Sequence, residues 1–256
     1  MRGAAAAVGS AALLVAEQAG GIGVLAGRIV RRLFPPRIDG RELVRSLYRM
    51  GVRSLPIVLI TALFAGGIMV IQAGMIIRRY GAEGVLGWAA GFATLREIAP
   101  ILIALMLSGR VGANNTAELG TMVVTEQIDA LRTLAIDPIS YLVVPRVIAM
   151  VVVLFLLTIF GDVVALIGAA ITGDVLLGVS PRAFYRSLVE MLGFWDVATG
   201  LIKSLVFGLL LGLSSCTFGL RVTGGAPGVG RAVHASVVAS AAGVFVLDYL
   251  MTYLLR

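Results

Sequence analysis

Apolar positions gather in five long runs, at about 54–77, 86–107, 142–171, 198–220 and 233–255, each interrupted by few charges. A helix needs about twenty such residues to cross the hydrocarbon core of a bilayer. No run shows the period of two expected of a barrel strand, and in lipid only helices and closed barrels satisfy the backbone. The pattern therefore predicts an all-α integral membrane protein with five transmembrane helices. The third run exceeds one membrane thickness and carries Asp162 inside it.

Two polar-patterned stretches stand outside the runs. Before the first comes DGRELVRSLYRMGVRS, in which Arg41, Arg45, Arg49 and Arg53 recur every four residues while Leu43, Val44, Leu47 and Met50 take another face. That is a basic amphipathic helix lying among headgroups, an elbow leading into the first span. Pro35 and Pro36 separate it from 4–30, a weakly amphipathic stretch also expected along the membrane surface. Residues 1–53 thus form an interfacial segment and 54–256 the transmembrane domain. The N-terminus imitates a signal peptide but lacks a convincing cleavage site.

The second polar stretch is ELGTMVVTEQIDALRTLAIDP, between the second and third runs. Val124, Ile128, Leu131 and Ala135 form one helical stripe and Glu126, Asp129 and Thr133 another, with Asp129 placed to pair with Arg132. Asp137 and Pro138 should end this helix, expected over about 118–136, because proline disfavours helical geometry in the residue before it. A helix resting on anionic lipid would not carry so acidic a face, so the expected contact is a protein.

The chain of 256 residues is 59% hydrophobic and 14% charged, with a mean hydropathy of +1.00. Soluble domains hold about 25% charged residues, so this chain could not cover a water-facing surface. A net charge of +7 raises the question of nucleic acid, but eight arginines crowd between residues 28 and 53, which suits anionic headgroups better. Fourteen of the 21 basic residues fall on one side if the N-terminus is cytoplasmic, and six on the other. The positive-inside rule then puts the C-terminus outside. Cys216 is the single cysteine and cannot form an intrachain disulfide, and the single His234 has no clustered ligands, so no metal is expected. GGAPGVGR at 224–231 lacks the lysine and hydroxyl residue of a phosphate loop and reads as a flexible turn. ATP chemistry must come from another polypeptide.

An amphipathic helix between spans is how membrane subunits of ABC transporters dock on their ATPases. The stretches LREIAPILIALMLSGRVGA, AELGTMVVTEQIDALRTLAIDPISYLVVPR and LIKSLVFG resemble the MlaE/YrbE-type permeases of MCE-associated ABC lipid transporters, from about Leu43 to the C-terminus. Asn114 and Asn115 depart from the small residues usual there. The resemblance implies a dimer of permeases in the bacterial inner membrane and two cytoplasmic ATPases that bind ATP and Mg. It also implies a periplasmic MCE-domain protein, hexameric in form, often with a small STAS-domain partner, and phospholipid as substrate. The residues expected to meet the ATPase are Glu118, Thr125, Glu126, Gln127, Asp129, Leu131 and Arg132.

Charges inside a membrane are costly and mark function by default. Arg96 and Glu97 point about 100° apart on a helix, so each should find its own partner. Arg96 could hold a lipid phosphate, or the pair could belong to a network locking helices together. By resemblance it borders an outward-open lipid cavity, with Gln72, Ile76, Ile77 and Tyr80 nearby. Asp162 and Asp248 are expected in helix-to-helix polar contacts, and Lys203 is expected to snorkel to outer headgroups. Gly66, Gly67, Gly208 and Gly212 should permit close helix approach. The alternatives are an ion- or proton-coupled secondary transporter using Asp162 and Asp248, and an integral membrane enzyme, for which no nucleophile or His cluster is visible.

Overall fold

The structure, a computed structural model, describes residues 20–29, 40–81 and 83–255 together with Ala16 and Arg31. The expected surface stretch 4–30 lies outside the described residues apart from Ala16 and 20–29, as do Arg2, Pro35, Pro36 and Arg256. Among the described residues there are helices and turns and no strand. Helices α1 (Gly20–Ile29) and α2 (Gly40–Leu47) precede α3 (Leu55–Arg79), and α2 runs on into it, so that the first membrane-length helix is Gly40–Ile77. The second span is a continuous rod, Leu86–Val124, made of α4 (Leu86–Ala93), α5 (Ala99–Leu107) and α6 (Ala113–Val124). After the short α7 (Gln127–Thr133) come α8 (Val144–Leu177), α9 (Pro181–Met191), α10 (Phe194–Leu220) and α11 (Gly225–Leu254). Among the described residues five helices are long and apolar enough to cross a membrane, as the hydropathy predicted. Consecutive spans run antiparallel, so the bundle has an α7 end and an α9 end.

Hydropathy places the end of the second span near residue 107, but the helix continues to Val124. Its 39 residues rise about 58 Å, nearly twice a hydrocarbon core. The drop in hydropathy marks where a helix leaves lipid, not where it stops. Among the described residues four wide π turns interrupt the α-helices, at Tyr48–Val52, Thr94–Ile98, Ser108–Gly112 and Ile139–Val143. Such turns shift the register of side chains by part of a turn and collect at functional sites. The first of them breaks the arginine stripe. Arg41 and Arg45 face outward, but Arg49 turns inward; on the apolar face Leu43, Leu47 and Met50 pack inward while Val44 stays exposed.

Close packing follows the glycines. The α3–α8 crossing is made by Gly66 against Ala165 and Gly168 against Leu63, and Gly208 and Gly212 of α10 lie on Val151 and Val147 of α8. Helix α1 is not simply laid on the membrane. Its Leu25 and Ile29 are buried in one cluster with Leu119, Ile128, Leu142 and Val147, beneath α7. The glycine-rich 224–231 is also not a flexible turn. Gly224 and Gly225, at φ 82° and 69°, reverse the chain, and α11 begins at once, with Pro227 in the first turn where its missing N–H leaves no gap.

Candidate functional site

At one end of the bundle α7 projects as a small knob. Thr125, Glu126, Gln127, Asp129 and Arg132 are exposed, while Ile128 is buried and Leu131 packs on the same cluster. The Asp129–Arg132 pair forms, at 2.8 Å and fully in the open, where it contributes at most a few tenths of a kcal/mol. Apolar side chains join the exposed surface at Val124, Leu134 and Ile136. The helix expected over 118–136 is divided, because Glu126 takes a left-handed φ of 59° and separates α6 from α7. Ala135, at φ 57°, ends α7 early in a Schellman turn, with Ala135 N–H donating to Arg132 C=O and Ile136 N–H to Leu131 C=O. Asp137 and Pro138, expected to end this helix, instead start the next one. Asp137 accepts from Ser140 N–H at 3.0 Å and from the Ser140 hydroxyl at 2.6 Å, a helix cap with proline just inside it.

Two non-glycine residues in the left-handed region within ten positions store backbone strain that the anchored ends must hold. Ala135→Gly is therefore expected to stabilise the protein by about 0.5–1 kcal/mol, less than the full left-handed penalty because glycine also loosens the unfolded chain. Thermal unfolding in mild detergent measures this; a lower midpoint in the variant would contradict the reading of Ala135 as strained.

Glu118, grouped by sequence with the ATPase-facing residues, is placed elsewhere. It lies in α6, inside the rod, where its carboxylate accepts from Arg49 Nη1 at 2.6 Å and Asn114 Nδ2 at 2.9 Å and pairs with Arg146 Nη2 at 3.2 Å. Elbow, second span and third span are tied together there. Arg146 is buried, and its Nε and Nη1 have no partner among the described residues.

The charges of the second span face the α9 end. Arg96 and Glu97 share one π turn and separate as expected. Arg96 donates to Asp196 Oδ1 and to the Leu255 carbonyl, both at 3.1 Å, and lies 5.4 Å from the Phe92 ring centroid. Asp196 also accepts from Gly193 N–H at 2.9 Å, so one carboxylate caps α10 and holds Arg96. Glu97 pairs with Lys203 of α10, which in turn donates to Thr252 at 2.7 Å. Asp248 Oδ1 sits 2.9 Å from Lys203 Nζ, an ion pair whose angle falls short of a hydrogen bond. Lys203 is 0% exposed: it does not snorkel to headgroups, because two carboxylates hold it inside. Asp248 makes the helix-to-helix contact expected of it. Asp162 is buried in α8 with Oδ1 unpartnered among the described residues.

Of the four residues tied to a lipid cavity, Gln72, Ile76 and Ile77 lie in α3 and Tyr80 in the turn just after it; three are exposed and one is not. Gln72, Ile76 and Tyr80 follow i, i+4, i+8 and are exposed, continuing a stripe with Phe64 and Ile68. Ile77 turns inward onto Val70, Leu86 and Phe184. No described hydrogen bond or ion pair joins this stripe to Arg96 or Glu97. Sequence reasoning missed Asp196 and Thr252, although a carboxylate at the third position after Gly193 is a capping signal.

The family described as Permease MlaE matches residues 43–254. A probable ABC transporter permease protein of Synechocystis is 38% identical over 231 residues, covering 90% of this chain and 88% of that one. One from Rickettsia typhi is 36% identical over 248 residues, 97% and 96% of the two chains. The chloroplastic protein trigalactosyldiacylglycerol 1 of Arabidopsis thaliana is 37% identical over 229 residues, which is 90% of this chain and 65% of that longer one.

Proposed function

The chain belongs to the MlaE permease family, as the multi-pass membrane subunit of an ABC transporter that works with separate ATPase subunits, and on that premise we propose that it moves phospholipids or related lipids between the bacterial inner membrane and a periplasmic MCE-domain protein. Two copies, or one copy and a close relative, would form the permease dimer, with two cytoplasmic ATPases binding ATP and Mg and a STAS-domain protein as an accessory. The α7 end is cytoplasmic and the α9 end periplasmic, in keeping with the arginines gathered around α2 and the following turn. One relative's name carries a galactolipid, which supports lipid as the class of cargo.

The observation that carries the reading is α7 itself: a strained, exposed polar knob fixed by Ile128 and Leu131 to a rod that runs on through the membrane. A motor domain closing on that knob moves the rod as one body, and the rod carries Arg96 and Glu97 at its other end. The exposed stripe through Phe64, Ile68 and Ile76, broken by the polar Gln72, suits a cavity for acyl chains, and a guanidinium such as that of Arg96 suits a headgroup phosphate. An ion- or proton-coupled carrier has less support, because Lys203 already engages Asp248.

Charge reversal of the exposed Asp129 to lysine should lower ATPase co-purification about ten-fold or more, a loss of at least about 1.4 kcal/mol of binding. Thermal unfolding of the permease should hardly move, because the changed side chain is solvated. ATPase recovered at the parent level would refute docking through α7. Mass spectrometry of lipid retained by the assembled transporter tests the cargo separately.

A further inference from the structure

A second charged pocket lies at the α7 end, remote from the Arg96 network. It is walled by two π turns that face one another, Tyr48–Val52 and Ser108–Gly112, and by the start of α6. Its volume is about 380 Å³, and its polar lining is Arg49, Arg53, Arg110, Asn114, Asn115 and Glu118. Three guanidiniums stand against one carboxylate, and that carboxylate is already bonded to Arg49. Among the described residues the side chains of Arg53 and Arg110 make no ion pair or hydrogen bond, and both residues are exposed. The floor supplies an independent observation. Asn115 is 1% exposed, yet its Nδ2 has no partner among the described residues. A buried amide donor left unsatisfied costs about 1–3 kcal/mol, so such a group is kept where something else accepts from it.

We infer that this pocket binds a phosphate group, carried by the headgroup of an anionic phospholipid. Phosphate oxygens accept from the forked guanidiniums of Arg53 and Arg110 and from the Asn115 amide together, a set that a monodentate or neutral ligand would leave partly unused. A headgroup is favoured over a free ion by what surrounds the pocket. Tyr48 and Val52, in the same π turn as Arg49, are large apolar side chains turned outward, which places this turn at the level where headgroups meet acyl chains. The bound lipid clamps the elbow to the inner end of the second span, beside the Glu118 tie. The inference goes beyond the transported cargo and stands whatever that cargo is.

The test uses the full-length chain in nanodiscs holding equal parts of phosphatidylglycerol and phosphatidylcholine, released into the gas phase for native mass spectrometry. The parent should carry phosphatidylglycerol selectively. Replacing both exposed arginines, R53Q with R110Q, should lower that retention about ten-fold and leave phosphatidylcholine unchanged, as expected for two charge-assisted contacts. Asn115→Ala, which removes only the buried amide, should lower it about three-fold. Millimolar inorganic phosphate should fail to displace the lipid. Equal phosphatidylglycerol retention by parent and double variant overturns the proposal. Displacement by inorganic phosphate overturns the lipid as the source and assigns the site to the free ion.

Discussion

Replacing Lys203 with methionine is expected to destabilise the protein by about 3–5 kcal/mol, the range seen when one partner of a buried ion pair is removed. Methionine keeps most of the stem's volume, so the loss reports charge and not a cavity. Lys203 is completely buried and its ammonium sits among Glu97, Asp248 and Thr252, which come from the second and fifth spans. Without it two carboxylates at 28% and 15% exposure face each other with one hydroxyl between them. Denaturant unfolding in mild detergent measures the change. The triple variant with Glu97→Gln and Asp248→Asn should recover most of it, because neutral amides can bond one another where carboxylates repel. A single-variant loss below about 1 kcal/mol would mean that the three groups do not act as one cluster.

That cluster shows where the sequence was legible and where it was not. Five spans could be counted from hydropathy, since about twenty apolar residues in a row have no other use. The close approaches at Gly66, Gly208 and Gly212 were legible too, and so was the divergence of Arg96 from Glu97, which helical geometry alone requires. The fate of Lys203 was not. A lysine near the start of a span can snorkel or be held, and only the arrangement of α10 against the second and fifth spans brings Glu97 and Asp248 to it. Glu118 was misgrouped for a related reason. Its neighbours in sequence belong to the α7 knob, but the helix is unbroken from Leu86, so Glu118 faces Arg49 and Arg146 inside the bundle.

Backbone irregularities were the other hidden term. Nothing in apolar periodicity announces a π turn, yet Arg49, Arg96, Glu97 and Arg110 all sit in one. Each turn changes which side a charge faces, and the inner pocket exists because two of them meet. The left-handed residues Glu126 and Ala135 were equally hidden, since neither is the glycine or asparagine that would signal such a conformation. Local sequence predicted one long amphipathic helix at 118–136. The chain instead makes a long rod, a left-handed break at Glu126 and a short knob anchored by Ile128 and Leu131.

Close helix packing underlies the second large effect. Gly168→Ala is expected to destabilise by about 3 kcal/mol or more, at or beyond the upper end of ordinary overpacking. A Cβ on Gly168 would lie 2.1 Å from the Leu63 carbonyl oxygen, and one on Gly66 would lie 1.9 Å from that of Ala165. The obstacle in each case is backbone of the facing helix, so no rotamer change relieves it and α3 must move away from α8. Gly66→Ala should do the same, and the double variant should cost less than the sum, because the first substitution already opens the shared crossing. Gly230→Ala in α11 is the control. A Cβ there meets nothing within 4 Å, so the substitution should stabilise by about 0.5–1 kcal/mol through helix propensity alone. Should Gly168→Ala unfold at the parent's midpoint, the α3–α8 crossing would have to be loose enough to admit a methyl group. The exposed stripe of α3 could then shift independently of the third span, and a push on α7 would not reach it through a solid bundle.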